Sequence, residues 1–269
     1  MVAYKYGIEE PVKYFNFLKG FIYGASLETF DNIAIFIPGP DPIPGFRQAS
    51  SYLGLQYHYL VTSDRKLFLD ACKYLVSQDI PVILPVDAGK LYNLSYPAPR
   101  FILLVGYKDK AVYVYEPVMG EEKFSFNEEG LEFSEETIVE ANKAFNKLFH
   151  MPWKHSLIYF VKKEEPVKDL TPLFKILGET QIGSKYFTAF TGAKAVEALA
   201  NYTAQGKIVL ETQMFGIHLA MISRFDNSRF LKTRFPDNEL VVEAANKLEE
   251  AAKIYEKNLR AHEKWNNVL

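Results

Sequence analysis

The sequence predicts an α+β domain, an antiparallel sheet with flanking helices, followed by a mostly helical C-terminal region. Three observations carry this. Pro81–Val86, Phe101–Val105 and Ala111–Tyr115 are short apolar runs rich in β-branched and aromatic residues. They are bounded by Asp87-Ala-Gly89, Tyr96-Pro-Ala-Pro99 and Gly106-Tyr-Lys-Asp-Lys110, so they read as buried strands, the last two forming a hairpin. The composition changes at Lys162-Lys-Glu-Glu-Pro-Val-Lys168, dividing the chain into 1–163 and 168–269, and from Leu170 onward the apolar spacing is helical almost throughout.

Taken in order, Met1–Tyr6 followed by Gly7 has the form of a helix tail with its C-cap glycine. Glu9–Gly20 and Phe21–Phe36 are aromatic-rich without clean periodicity and accommodate short helical and extended pieces. Pro38–Gly45 holds four prolines, which predict a rigid loop rather than helix or central strand. Phe46–Tyr52 resumes as a short helix ending near Gly54, and Leu55–Val61 alternates like a strand. Ser63 or Asp64 caps a helix running to about Ser77, with Leu67, Ala71, Tyr74 and Leu75 on its buried face. Lys123–Phe126 reads as an edge strand. Ser134 caps a helix whose apolar face is Ile138, Ala141, Ala144 and Phe145, and Ser156–Val161 is one more strand. After Pro236-Asp-Asn238, Val241, Ala245, Leu248, Ala252, Tyr255, Leu259 and His262 recur at alternating three and four spacings. That is a seam for another helix, in the same chain or in a second copy; a homodimer would use Val241, Leu248, Tyr255 and Leu259.

The composition excludes several function classes. A net charge of −2 argues against a nucleic-acid or acidic-membrane partner. The single cysteine, Cys72, forbids an intrachain disulfide and fits a reducing compartment, which with the absence of a signal peptide or an apolar span points to the cytoplasm. No Walker loop, G-x-G-x-x-G, H-E-x-x-H or cysteine pair occurs, and the five histidines are scattered, so neither a cofactor nor a metal is expected. Cys72, inside a helix, is read as a small core residue in preference to a nucleophile.

Arg100, at the start of one strand, and Glu116, just past the end of the next, lie near one another if the strands pair. They are either a structural ion pair at the sheet edge or a ligand site. Arginine stays protonated and cannot act as a general base, but it binds carboxylate or phosphate in forked geometry.

Ile80-Pro-Val-Ile-Leu84 with Val86-Asp87, then Arg100–Tyr107, then Val112-Tyr-Val-Tyr-Glu-Pro117, resembles the second half of papain-like, C39-type domains, and in particular the butirosin-biosynthesis protein H family of cysteine acyltransferases and relatives. Gly45-Phe-Arg47, Leu53-Gly54, Thr191–Ala200 and the stretch from Gly216 to Leu231 are similar to further pieces of that family. The family pattern places a histidine where Arg100 stands and an aspartate where Glu116 stands. Its nucleophilic cysteine opens a helix whose last turns are similar to Met1–Gly7, so the corresponding residue falls upstream of Met1. The resemblance therefore implies a catalytically degenerate member, a pseudoenzyme. It would bind an anionic or acyl-bearing small molecule through Arg100 and Glu116, with Asp87, Tyr92, Tyr107 and Arg47 as wall residues. Two other readings stay open: an active acyltransferase or amidohydrolase using Cys72 or an upstream cysteine, and an oligomeric interaction protein using the last helix.

Overall fold

The computed structural model describes residues 2–9, 12–19, 26–30, 33–37, 42–116, 130–175, 185 and 189–266. In chain order its elements are α1 (Val2–Lys5), α2 (Val12–Leu18), β1 (Ser26–Phe30), β2 (Ile33–Ile37), α3 (Pro42–Tyr52), β3 (Leu55–Thr62), α4 (Arg65–Ser77), β4 (Val82–Asp87) and α5 (Ala88–Leu91). Then come β5 (Pro99–Lys108), β6 (Ala111–Tyr115), β7 (Leu131–Ser134), α6 (Glu135–Leu148), β8 (His155–Lys162), β9 (Ala189–Thr191), α7 (Gly192–Ala204), a 3-10 turn at Leu210–Gln213, α8 (Met214–Arg234) and α9 (Glu239–Asn266). The α+β class and the antiparallel sheet stand as expected. The expected edge strand at Lys123–Phe126 lies outside the described residues.

The chain divides into two compact units. One comprises Met1–Tyr6 and Gly54–Glu164; the other comprises Gly7–Leu53 and Glu165–Leu269. The sequence places 1–163 together, whereas the structure gives Gly7–Leu53 to the second unit. The physical reason is long-range: β1 pairs with β9, and Leu27 and Phe36 share a core with Ala195, Ala198, Ile217 and Ala220.

The first unit is a six-stranded sheet in the order β3-β8-β4-β5-β6-β7, every neighbouring pair antiparallel. Alternation puts Val82, Leu84 and Val86 of β4, Ile102 and Leu104 of β5, and Val112 and Val114 of β6 on one face, where α4 and α6 cover them. The two-residue turn joining β5 to β6 needs a left-handed residue, supplied by Asp109 at φ +56°. Asp64 caps α4, accepting from the amides of Lys66 and Leu67. The buried stripe of α4 is Phe68, Cys72 and Leu75; Leu67 and Tyr74, expected inside, are 52% and 64% exposed. Residues 67, 71 and 74 have the same helical spacing one position earlier, so periodicity alone cannot choose between the stripes, and the structure buries the one that carries the phenylalanine. Ser134 Oγ caps α6 by accepting from the Thr137 amide at 3.1 Å.

The second unit holds a three-stranded sheet, β2-β1-β9, packed with α7 and α8. A strand at Ala189–Thr191 interrupts what the sequence reads as helix, completing this sheet beside β1. Pro42–Gly45, expected to be loop, forms the first turn of α3, where proline loses no intrahelical hydrogen bond and its fixed φ suits the helix. Gly216 lets α8 lie against β2: a Cβ there would sit 2.3 Å from the Phe36 carbonyl oxygen, while Gln213 Oε1 accepts from the Phe36 amide at 2.8 Å. α9 packs along α8, with Ala245 and Ala252 fully buried and Tyr255 and Leu259 against the same core. The seam read from the sequence is thus used within the chain. None of the described helices is long and apolar enough to cross a membrane.

Candidate functional site

Three strand ends of the first unit gather four of the six expected site residues: Asp87 ends β4, Arg100 begins β5 and Glu116 follows β6, with Tyr92 on the connection between the first two. The segment after β4 is held by Asp87. Its buried carboxylate accepts from the Gly89 amide at 2.9 Å and the Ala98 amide at 2.8 Å, and the Ala88 amide donates to the Ala98 carbonyl at 2.8 Å. Gly89 is required by close approach, since a Cβ would meet the Tyr96 carbonyl oxygen at 2.4 Å and Asp87 Oδ1 at 2.9 Å. Asp87 is therefore a clasp for the loop, its carboxylate holding the loop's own amides.

Arg100 lies directly opposite Val86 in the β4–β5 ladder. Residues opposite one another in an antiparallel pair share a face, so the half-buried Arg100 sits at the rim of the helix-covered face, in line with buried Ile102 and Leu104. Its Nη1 donates to the Pro99 carbonyl at 3.0 Å. Glu116 stands one residue beyond the Leu103–Tyr115 pair and falls on the same face. Its carboxylate accepts from the Tyr92 hydroxyl. The structural ion pair considered for Arg100 and Glu116 is not formed: among the described residues Glu116 is taken by Tyr92, and Arg100 has no carboxylate in ion-pair reach. The Tyr92 ring meets Phe133 edge-on at 5.9 Å, and burial, reinforced by the Glu116 carboxylate, raises the phenol above its usual pKa.

The other two expected wall residues lie elsewhere. A bulge in β5, between the Leu104–Val114 and Gly106–Tyr113 pairs, inserts one residue and turns Tyr107 toward the core face, where its hydroxyl is buried beside the Cys72 thiol and its ring lies 5.5 Å from Lys73 Nζ. Arg47 is exposed on α3, in the second unit.

Cys72 is fully buried, and burial pushes its thiol up to about 12. That leaves no thiolate for nucleophilic attack at neutral pH. His155 is also buried, stacked on Phe68 at 5.0 Å, with Nδ1 unpartnered and its pKa lowered chiefly by desolvation. Among the described residues no three His, Cys, Asp or Glu side chains gather as a metal site.

One buried polar assembly escaped the sequence reading. β8 pairs with β4 only at Val82–Tyr159 and Ile83–Ile158. Past that point Asn142 of α6 enters the gap, donating to the Pro85 carbonyl at 2.7 Å and the Ser156 carbonyl at 2.8 Å and accepting from the Ser156 amide at 3.1 Å. Asn146 Oδ1 accepts from Ser156 Oγ at 3.0 Å and Trp153 Nε1 at 3.1 Å. The signal was available: Asn142 and Asn146 follow Ile138 at helical spacing, on the face that was read as apolar.

Chemically, the strand-end site offers a guanidinium beside a phenol–carboxylate pair. It can bind and orient an anion. No family model matches the chain, and no curated protein matches it.

Proposed function

We propose that the chain is a non-catalytic binding protein that holds an anionic or acyl-bearing small molecule at the strand ends of its papain-like, C39-type unit. The observation that carries this reading is Arg100: half-buried at the rim of the core face, with no carboxylate partner among the described residues and a single hydrogen bond to a neighbouring carbonyl. Such a guanidinium retains donors for a carboxylate or phosphate. Glu116, oriented by Tyr92, supplies an acceptor for a hydroxyl or amine on the same ligand. The loop clasped by Asp87 forms the neighbouring wall. The burial of Cys72 weighs against the reading in which it serves as acyl carrier.

Isothermal calorimetry with short-chain acyl carboxylates tests this. Arg100→Ala is expected to weaken binding at least about tenfold, equivalent to roughly 1.4 kcal/mol. Equal affinity in wild type and variant would overturn the proposal.

A further inference from the structure

The second unit carries a groove along α7. Lys194, Glu197, Ala198, Asn201 and Tyr202, with the C-cap residue Gln205, recur at alternating spacings of three and one, so they share one helix face over about 16 Å. Lys185 and Phe190, joined to each other by an antiparallel bridge, complete the lining. Ala198 is buried and ends at its Cβ, which leaves room between the larger side chains. The space so formed is about 430 Å³, within the range of roughly 300–1,000 Å³ typical of small-molecule sites.

The chemistry of the lining narrows the choice of ligand. The Phe190 and Tyr202 rings meet with centroids 6.0 Å apart and planes at 87°, an apolar corner that suits a flat aromatic body stacked on one ring and edge-on to the other. The charge around this corner is lopsided. Glu197, the one carboxylate among the described lining residues, is already paired with Lys194 at 2.8 Å. Lys185 has no carboxylate in ion-pair reach among the described residues; its Nζ lies 5.5 Å from the Phe190 ring centroid, so a cation stands directly beside the apolar surface. Lys207 Nζ lies 5.4 Å from the Tyr202 ring centroid, adding a second positive charge at the same corner. The complementary ligand therefore carries a negative group on its aromatic body. Ammonium groups act as point charges and offer no planar fork, which fits a carboxylate held at one oxygen.

We propose that the α7 groove binds a small aromatic carboxylate. Phe190, Ala198 and Tyr202 bed its ring system, Lys185 pairs with its carboxylate, and the side-chain amides of Asn201 and Gln205 offer hydrogen bonds to polar substituents along the helix face. The site lies in the second unit and is independent of the Arg100 reading.

Equilibrium dialysis of the full chain at pH 7 and low ionic strength against 2-naphthoate, and separately against the uncharged 2-naphthalenemethanol, tests it. Wild type is expected to retain both probes, the carboxylate more tightly. Lys185→Gln, at an exposed position, is expected to weaken naphthoate binding by about fivefold, the upper range for a partly exposed ion pair, and to leave the alcohol unchanged. Asn201→Trp, also exposed, fills the groove and is expected to abolish retention of both probes, whereas Arg100→Ala is expected to leave both unchanged. The proposal is overturned by no naphthoate retention in wild type, by equal affinity for the two probes, by equal loss of both in Lys185→Gln, or by unchanged naphthoate retention in either groove variant. Loss in Arg100→Ala alone would assign the naphthoate to the strand-end site instead and equally overturn it.

Discussion

Asn142 Nδ2 lies 2.7 Å from the carbonyl oxygen of Pro85, in the middle of the sheet's gap. Proline on a central strand is unusual because it withdraws a ladder donor. Here β8 has already parted from β4 after Ile83, so the carbonyl of Pro85 needs a side chain in place of a strand, and α6 supplies it.

Replacing Asn142 by Leu should therefore destabilise the first unit by about 2–4 kcal/mol, since it strands the Pro85 carbonyl and the Ser156 amide together. Urea unfolding followed by tryptophan fluorescence is the measurement, with Trp153 reporting from the same network. A change below about 0.5 kcal/mol would show that the network contributes nothing net.

His155 makes stability pH-dependent. Its folded pKa is lowered from 6.5, so the neutral form is the one that folds. Its contribution is fully present above 6.5 and is lost as pH falls from there toward the folded pKa, because the unfolded chain takes up the proton first. The neighbours Lys143, Lys154 and Arg65 act in the same direction as burial, and Glu140 opposes them. Urea midpoints between pH 5 and 8 should decline on the acid side in wild type and flatten there in His155→Phe. Parallel profiles for the two chains would contradict this.

Cys72 should be nearly inert to thiol reagents in the folded chain. A thiol near 12, against an ordinary value of 9.0, leaves about a thousandfold less thiolate at the same pH. Labelling with a chromogenic disulfide is expected to be slow until urea unfolds the chain, after which it becomes fast. Rapid labelling without denaturant would refute both this and the buried placement of the side chain.

Gly89→Ala tests the Asp87 clasp. With the Tyr96 carbonyl 2.4 Å from the new Cβ, the loop must shift, and the Asp87 contacts to Gly89 and Ala98 shift with it. We expect a loss of about 1–3 kcal/mol together with weaker acyl-carboxylate binding. Intact binding in a destabilised Gly89→Ala chain would separate the loop from the ligand site.

How far the structure could be read from the sequence depended on range. β4, β5 and β6 were legible because their apolar runs and turn residues are local, and so were the Asp64 and Ser134 caps. The pairing of β1 with β9 joins residues more than 150 positions apart and leaves no local trace, which is why Gly7–Leu53 looked like part of the first domain. On α4, two stripes of equal spacing competed, and only packing could decide for Phe68 over Leu67. At the site, strand order predicted that Arg100 and Glu116 share one end of the sheet. It could not predict that Tyr92 would claim the carboxylate, because that depends on how the Asp87 loop folds back. Nor does periodicity identify buried asparagines or serines, whose placement follows from partners on other elements.

The chain's passage between its units bears on how it is synthesised. All parts of the first unit have been made once Glu164 has been added, whereas the second unit begins at Gly7 and waits for strand β9 and the helices after it. Strand β1 (Ser26–Phe30), within Gly7–Leu53, must therefore remain without its β9 partner while more than a hundred later residues are translated. On the ribosome the order of completion is inverted: the unit interrupted by an early excursion closes first, and the excursion itself is the last part of the molecule to find its fold.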